Sequence, residues 1–231
     1  MMSLRMIKDA YWRTRTDLRF RYSMMMSDIF GPSRTIWDKG IVFIHIPKAA
    51  GSSIASLGVG YTFGHKTYAY YDKWRPRDRT MPVTFTVVRN PLDRFVSAFD
   101  YLAQGRGNGI DQAWARKNNL MGRPIDDFVI NDLSQDRILR WMHFRPQVDF
   151  TAGAGSLVSV DHVLRFETIE RDWADLATRF DLPKCLPQKN SSVGNKASCL
   201  GEEAAAVVRR VYAKDFSVFG YSSDIGTGNA K

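Results

Sequence analysis

The chain has 231 residues, 44% of them hydrophobic and 13% aromatic, which excludes wholesale disorder and suits one α/β domain with a full core. A formal charge of +9 predicts an anionic partner: a phosphorylated cofactor, an acidic polysaccharide, nucleic acid or a lipid surface, among which charge alone does not choose. Cys185 and Cys199 are too few for a disulfide framework, no apolar run approaches the ~20 residues of a membrane span, and arginines interrupt the N-terminus, so a soluble cytoplasmic protein is expected.

Residues 1–40 form a basic, Met-rich extension, expected to be helical, with Tyr11, Leu18, Tyr22 and Met25 spaced for one face. Docking on the domain is the plainer reading of that face; contact with a membrane surface through residues 1–30, or a dimerisation arm, is the other. The catalytic-sized domain is expected over 41–221, with a flexible tail over 222–231. Ile41 to Ile46 reads as a buried strand that runs into Pro47-Lys48-Ala49-Ala50-Gly51-Ser52-Ser53 and then a short helix through Leu57. Val83 to Val88 is a second strand, nearly continuous in apolar character as central strands of parallel sheets are. It ends in Arg89-Asn90-Pro91, where Asn90 caps a helix that begins at Pro91 and runs to Gly105. Three helical stretches are expected near 110–119, 125–133 and 134–143, a third strand over Val158 to Phe166, an amphipathic helix from Glu167 to Phe180, a polar loop to Ser198, a last helix near 201–213 and a Phe216–Tyr221 tail. The alternation predicts an α/β fold with a central parallel sheet flanked by helices.

A strand, tight turn and helix start together make an anion site, because backbone N–H groups and the helix N-terminus point at one spot. Gly51 permits close approach, Ser52 and Ser53 add hydroxyl donors, and Lys48 adds a mobile charge. A nucleoside-triphosphatase loop would read G-x-x-x-x-G-K-[ST] and pair with a strand ending in a metal-binding aspartate. Here the lysine precedes the glycine and the second strand ends in Arg89, which counts against a P-loop nucleotide kinase. Arg89 before a capped helix is a second anion site, and two such sites on neighbouring strand ends suit a ligand with two separate phosphates.

These residues resemble the P-loop-like sulfotransferases, in particular the carbohydrate branch that includes the heparan sulfate 2-O-, chondroitin-type and bacterial enzymes. Phe43 to Ser53 is similar to that family's 5′-phosphosulfate loop, and Val87 to Phe99 to its 3′-phosphate motif. Weaker similarity lies in His143-Phe144-Arg145-Pro146-Gln147, in Leu164 to Glu170 and in Asp215 to Tyr221, so that the resemblance covers residues 40–221. Ala49 and Ala50 stand where the family loop usually has threonine or glycine, which removes a hydroxyl but leaves the backbone cradle.

The resemblance implies a P-loop-like architecture and a sulfuryl transfer from 3′-phosphoadenosine 5′-phosphosulfate to a carbohydrate hydroxyl, with adenosine 3′,5′-bisphosphate as product, no metal, no nucleic acid, and an acidic glycan among the expected acceptors. Lys48, Ala50, Gly51, Ser52 and Ser53 would hold the 5′ end, Arg89 and Ser97 the 3′-phosphate, and Lys196 would close over it from the loop 189–196. Lys48 would meet the departing oxygen. Among the four histidines, the first candidates for a base, His65 lies between the two anion motifs and resembles the catalytic histidine of the 2-O-sulfotransferases. His143 is the second candidate, as base or acceptor ligand; His45 and His162 read as packed strand residues. Asp93 and Arg94 read as helix-surface charges, Tyr68, Trp74 and Trp114 as sugar-stacking candidates with Trp141 set aside as a core residue, and Arg75, Arg77, Arg79, Arg106, Arg123 and Arg145 as either an acceptor groove or a solvated face. A non-catalytic nucleotide- or polyanion-binding module on the same fold is the rival from another class.

Overall fold

The computed structural model describes residues 31–32, 34–38, 40–58, 64–187 and 199–223. Among them the sheet has three parallel strands in chain order: β1 (Ile41–Ile44), β2 (Val83–Val88) and β3 (His162–Arg165). Ile41 pairs with Val83, and Phe85 with His162, in the parallel registers. β1 is buried along its whole length and β2 at all but its first residue, the outcome expected where helices cover both faces. β2 tolerates two threonines because each hydroxyl is satisfied: Thr86 donates to the Ile44 carbonyl at 2.7 Å and Thr84 to Asp161 at 2.8 Å. β3 is shorter than the apolar run 158–166 predicted.

Between β1 and β2 lie α1 (Gly51–Ala55) and α2 (Tyr68–Trp74). The long crossover from β2 to β3 carries α3 (Pro91–Ala103), α4 (Gly109–Lys117), α5 (Ile125–Asn131) and the single turns α6 (Asp136–Leu139) and α7 (Val148–Thr151). After β3 come α8 (Ile169–Arg179), α9 (Glu202–Val211) and α10 (Ala213–Val218). Two expectations are corrected here. The stretch 134–143 holds one helical turn followed by a tight bend, and the C-terminal tail is α10, anchored by Asp215 and Phe216, both buried.

The core falls into two clusters. One surrounds the sheet, with Phe43, Phe85, Trp173 and Leu176, and takes in Ile36 and Trp37 from the 3-10 turn Arg34–Asp38. The other packs Phe95, Phe99 and Leu102 of α3 against Phe128, Phe144, Val208 and Tyr212. No helix among the described residues is long and apolar enough to cross a membrane, and Cys185 and Cys199 are exposed free thiols.

Candidate active site

The turn after β1 departs from ordinary backbone geometry at two nonglycine positions. Lys48 has φ 69° and Ala50 has φ 58° with ψ 8°, both left-handed. L-residues hold that region at a cost of roughly 1 kcal/mol or more each, and such strain concentrates at functional turns. A helix start leaves its first N–H groups without acceptors within the helix, and α1 begins at this bend after β1. Ser52 is exposed there, Ser53 is buried, and the N–H of Ser53 returns to the Ala50 carbonyl at 3.0 Å. Gly51 is required for a reason the sequence did not offer. A Cβ at that position would lie 1.7 Å from His45 Nε2, so the glycine makes room for an imidazole. His45 itself lies just beyond β1, stacked on Phe43 and beside the cradle instead of inside the strand.

At the end of β2, Arg89 is only 4% exposed. Its guanidinium lies 4.2 Å from the centroid of the Phe166 ring and Nη1 donates to the Lys48 carbonyl at 3.4 Å, which ties the two anion motifs together. Among the described residues it has no ion pair: Asp93 and Glu167 act on it from beyond that range, and burial draws its pKa below the usual arginine value. Glu167 is occupied elsewhere, accepting from the Asn90 N–H at 2.7 Å and the Tyr221 hydroxyl at 2.9 Å. A buried guanidinium without a counter-ion is costly unless an anion completes it. Asn90 caps α3 through the N–H groups of Leu92 and Asp93, with Pro91 in the first turn, and Ser97 is buried two turns further on.

The backbone of Arg89 is pinned by Gln147. That side chain accepts from the Arg89 N–H and donates to the Arg89 carbonyl, both at 2.9 Å, so it completes β2 as a further strand would. Gln147 is fixed in turn by Asp215, which accepts from the N–H groups of Gln147 and Val148. Arg94 is 1% exposed, contrary to the surface reading; it donates to the carbonyls of His143 (3.3 Å) and Arg145 (2.6 Å). The His143–Gln147 segment is therefore held by α3 and α10 before any side chain in it acts.

These constraints bring His65 and His143 together with His45. His65 stands 4.3 Å from His45 and 6.0 Å from His143, centroid to centroid. Its Nδ1 is 3.1 Å from the His45 carbonyl, which can only accept, so Nδ1 carries the proton and Nε2 keeps a lone pair. Burial, helped by His143, lowers the His65 pKa to about 4, and burial lowers that of His45 well below the usual value. Both rings are neutral at neutral pH. Lys48 Nζ rests 4.1 Å from the centroid of Tyr101, whose ring is 5.3 Å from that of His143.

Asp111 joins this group, and the sequence reading passed over it. Its Oδ1 lies 3.2 Å from His143 Nε2, and both residues are about 5% exposed. The placement is built locally. α3 ends in a pair of bonds typical of glycine-terminated helices, Arg106 N–H to the Tyr101 carbonyl and Gly105 N–H to that of Leu102. Gly107, with φ 95°, then passes so close to Tyr101 and Asp111 that a Cβ would meet the Asp111 carboxylate at 2.5 Å. Asn108 caps α4, which sets Asp111 in its first turn. The glycine-rich break at 105–109 was the available signal, but an acidic residue three places after an N-cap reads as an ordinary helix-start charge.

Among the described residues no group of three or more His, Cys, Asp or Glu could hold a metal ion. Lys196 and the loop 189–196 lie outside the described residues, as do residues 1–30. Trp114 stacks on Trp141 at 4.9 Å and packs against the core while half-buried. Four of the six arginines considered for a groove, Arg75, Arg79, Arg123 and Arg145, form ion pairs with nearby aspartates, as a solvated face does.

The profile of a family described as "Sulfotransferase family" matches residues 34–222. The chain belongs to the sulfotransferase family. No curated protein and no solved structure matches it significantly. The matched span takes in Ile36 and Trp37 and runs past Tyr221, so it includes both core clusters and the turns after β1 and β2 of this sulfotransferase. It is an enzyme fold for sulfuryl transfer, built on a parallel α/β sheet.

Proposed function

We propose that this sulfotransferase moves the sulfuryl group of 3′-phosphoadenosine 5′-phosphosulfate to a hydroxyl of a carbohydrate, with acidic glycans as the first acceptors to try. One observation carries the donor assignment: Arg89 is a buried cation without an ion pair among the described residues, tied to the loop that begins at Lys48. The residues fit a ligand with two phosphates, since a strained N–H cradle on α1 and this guanidinium sit on adjacent strand ends. When bound, the donor supplies the sulfuryl group and a phosphate that leaves with developing negative charge.

In this reading Ala50, Gly51, Ser52 and Ser53 hold the 5′ end through backbone N–H and hydroxyl groups, Arg89 and Ser97 hold the 3′-phosphate, and Lys196 is the expected closing residue. Lys48 leaves its resting place on Tyr101 to neutralise the departing oxygen. His65, neutral and with Nε2 bare, takes the acceptor proton. The donor's negative charge raises the basicity of His65 once the site is loaded, which brings a depressed imidazole back toward its working range. Positioning and electrostatics supply most of the acceleration, as they do in phosphoryl transfer.

Calorimetric titration with adenosine 3′,5′-bisphosphate, without magnesium, tests the donor. Micromolar binding is expected, with Arg89→Ala weaker by about 10- to 100-fold, the worth of a charge-assisted hydrogen bond. No binding by the wild type would sink the reading. Labelled donor with a panel of glycans then tests transfer, with Lys48→Ala and His65→Ala both expected to lose turnover.

A further inference from the structure

His143 presents an unsolved polar atom. Its ring is 5% exposed, Nε2 is engaged by Asp111 at 3.2 Å, and Nδ1 is buried with no hydrogen-bond partner among the described residues. Native interiors leave few such atoms, and each asks for a ligand or a chemical role. A carboxylate only accepts, so Nε2 carries the proton and Nδ1 holds a bare lone pair. The groups that face this ring are Asp111 from α4, Tyr101 from α3, His65 from the loop before α2, and Trp141 from its own bend; Lys48 Nζ is 4.1 Å from the Tyr101 centroid, and Arg94 holds the His143 carbonyl.

We infer that Asp111 is a positioning residue that acts through His143: it fixes the ring with Nδ1 bare, and the Asp111–His143 pair receives the acceptor's proton from His65 before it passes to solvent. The inference rests on the sulfuryl-transfer reading above and deepens it. In the transfer, the acceptor oxygen bonds to sulfur while the bond from sulfur to the 5′-phosphate oxygen breaks, its electron pair staying with the phosphate. The acceptor O–H breaks, and its proton goes to His65 Nε2. A buried imidazole of depressed basicity does not keep a proton once the charged nucleotide leaves. The ring centroids are 6.0 Å apart, so the transfer runs through one bridging oxygen, a water or a second hydroxyl. Across it the proton reaches His143 Nδ1, where the Asp111 carboxylate compensates the imidazolium. The same logic gives a buried aspartate its role behind a catalytic histidine in serine proteases. Neither group needs to touch the donor, so donor affinity and proton handling are separable.

The test compares Asp111→Asn and Asp111→Glu in the full chain. Bisphosphate affinity, the His143 tautomer by nitrogen-15 NMR, and transfer from labelled donor to a desulfated glycan are measured for each. The expected result is a wild-type His143 protonated at Nε2, and an Asp111→Asn variant that loses that preference. Its kcat falls by roughly 100-fold, the size of a proton-transfer contribution. KM for the glycan and bisphosphate affinity stay within about threefold, and Asp111→Glu recovers about tenfold of the loss. Should Asp111→Asn fail to fold, His143→Gln, which removes the bare nitrogen, serves in its place with the same expected kcat and affinity. An Asp111→Asn kcat within about threefold of wild type, or a kcat loss matched by lost bisphosphate affinity, overturns the inference and leaves the transfer reading standing. A wild type that neither binds the bisphosphate nor transfers overturns both.

Discussion

Acid should weaken this protein through its site histidines before it reaches most carboxylates. His65 has a pKa of about 4 in the folded state against 6.5 in its absence, so between those values the unfolded chain binds a proton that the folded chain refuses. Stability is then complete above about pH 6.5 and falls as pH drops toward 4, by about 2 kcal/mol near pH 5 from this one group. His45 acts in the same direction. Urea unfolding near pH 7.5 and near pH 5 should show the loss in the wild type and a reduced loss in His65→Gln; equal losses in the two proteins would contradict the assignment. At this scale the sequence pointed to Lys48 and Arg89 by residue type beside the two turns, and to His65 and His143 with the help of their likeness to known sulfotransferases. It missed Asp111 and misjudged Arg94, because a helix's sequence shows charge and spacing but not which neighbour closes over a given face. It also explained Gly51 by an approaching anion, when the nearest atom to a missing Cβ belongs to His45.

At the scale of elements, the turns after β1 and β2 are finished by short pieces from distant parts of the chain. β2 stops at Val88, and the next residue would leave an N–H and a carbonyl unsatisfied on that side if Gln147 did not pair with both. Gln147→Ala orphans two buried backbone groups, so a loss of about 2–4 kcal/mol in urea unfolding is expected, with weaker bisphosphate binding alongside. A change below ~0.5 kcal/mol would mean that the pairing is ornamental. β1, β2 and the capped start of α3 were legible because a near-continuous apolar run, Asn90 and Pro91 are strong local signals. The bend at 140–147 was not. Its residues carry helical spacing, yet Arg94, Tyr212 and Asp215 take hold of the carbonyls and N–H groups that a longer helix would use. Tertiary partners outbid local propensity there.

For the whole molecule, the first core cluster takes in Val88 at the end of β2 and the second Leu92 at the start of α3, with Arg89 between them in the chain. The core of the described residues begins at Ile36, and the family match at residue 34. Contact with membranes through residues 1–30 therefore stands as a separate proposal from transfer. A protein lacking those residues should bind the bisphosphate within about threefold of the full chain, while liposome flotation compares the two for surface binding. Loss of nucleotide affinity on that deletion would place the N-terminal segment within the functional unit.

The sequence by itself determined the parallel α/β class, because that rests on short-range patterns: an apolar run, a turn and a cap; two anion sites and a donor with two phosphates were its expectations, drawn from the same stretches and from their likeness to sulfotransferases. Tertiary structure decided what those motifs could do together. It left Arg89 buried without an ion pair among the described residues, set His45 into the gap at Gly51, and brought Asp111 to His143 across 32 positions of chain. Burial and partnership arise from packing between distant segments, and it is burial and partnership that set the charge state of an imidazole and the use of a guanidinium.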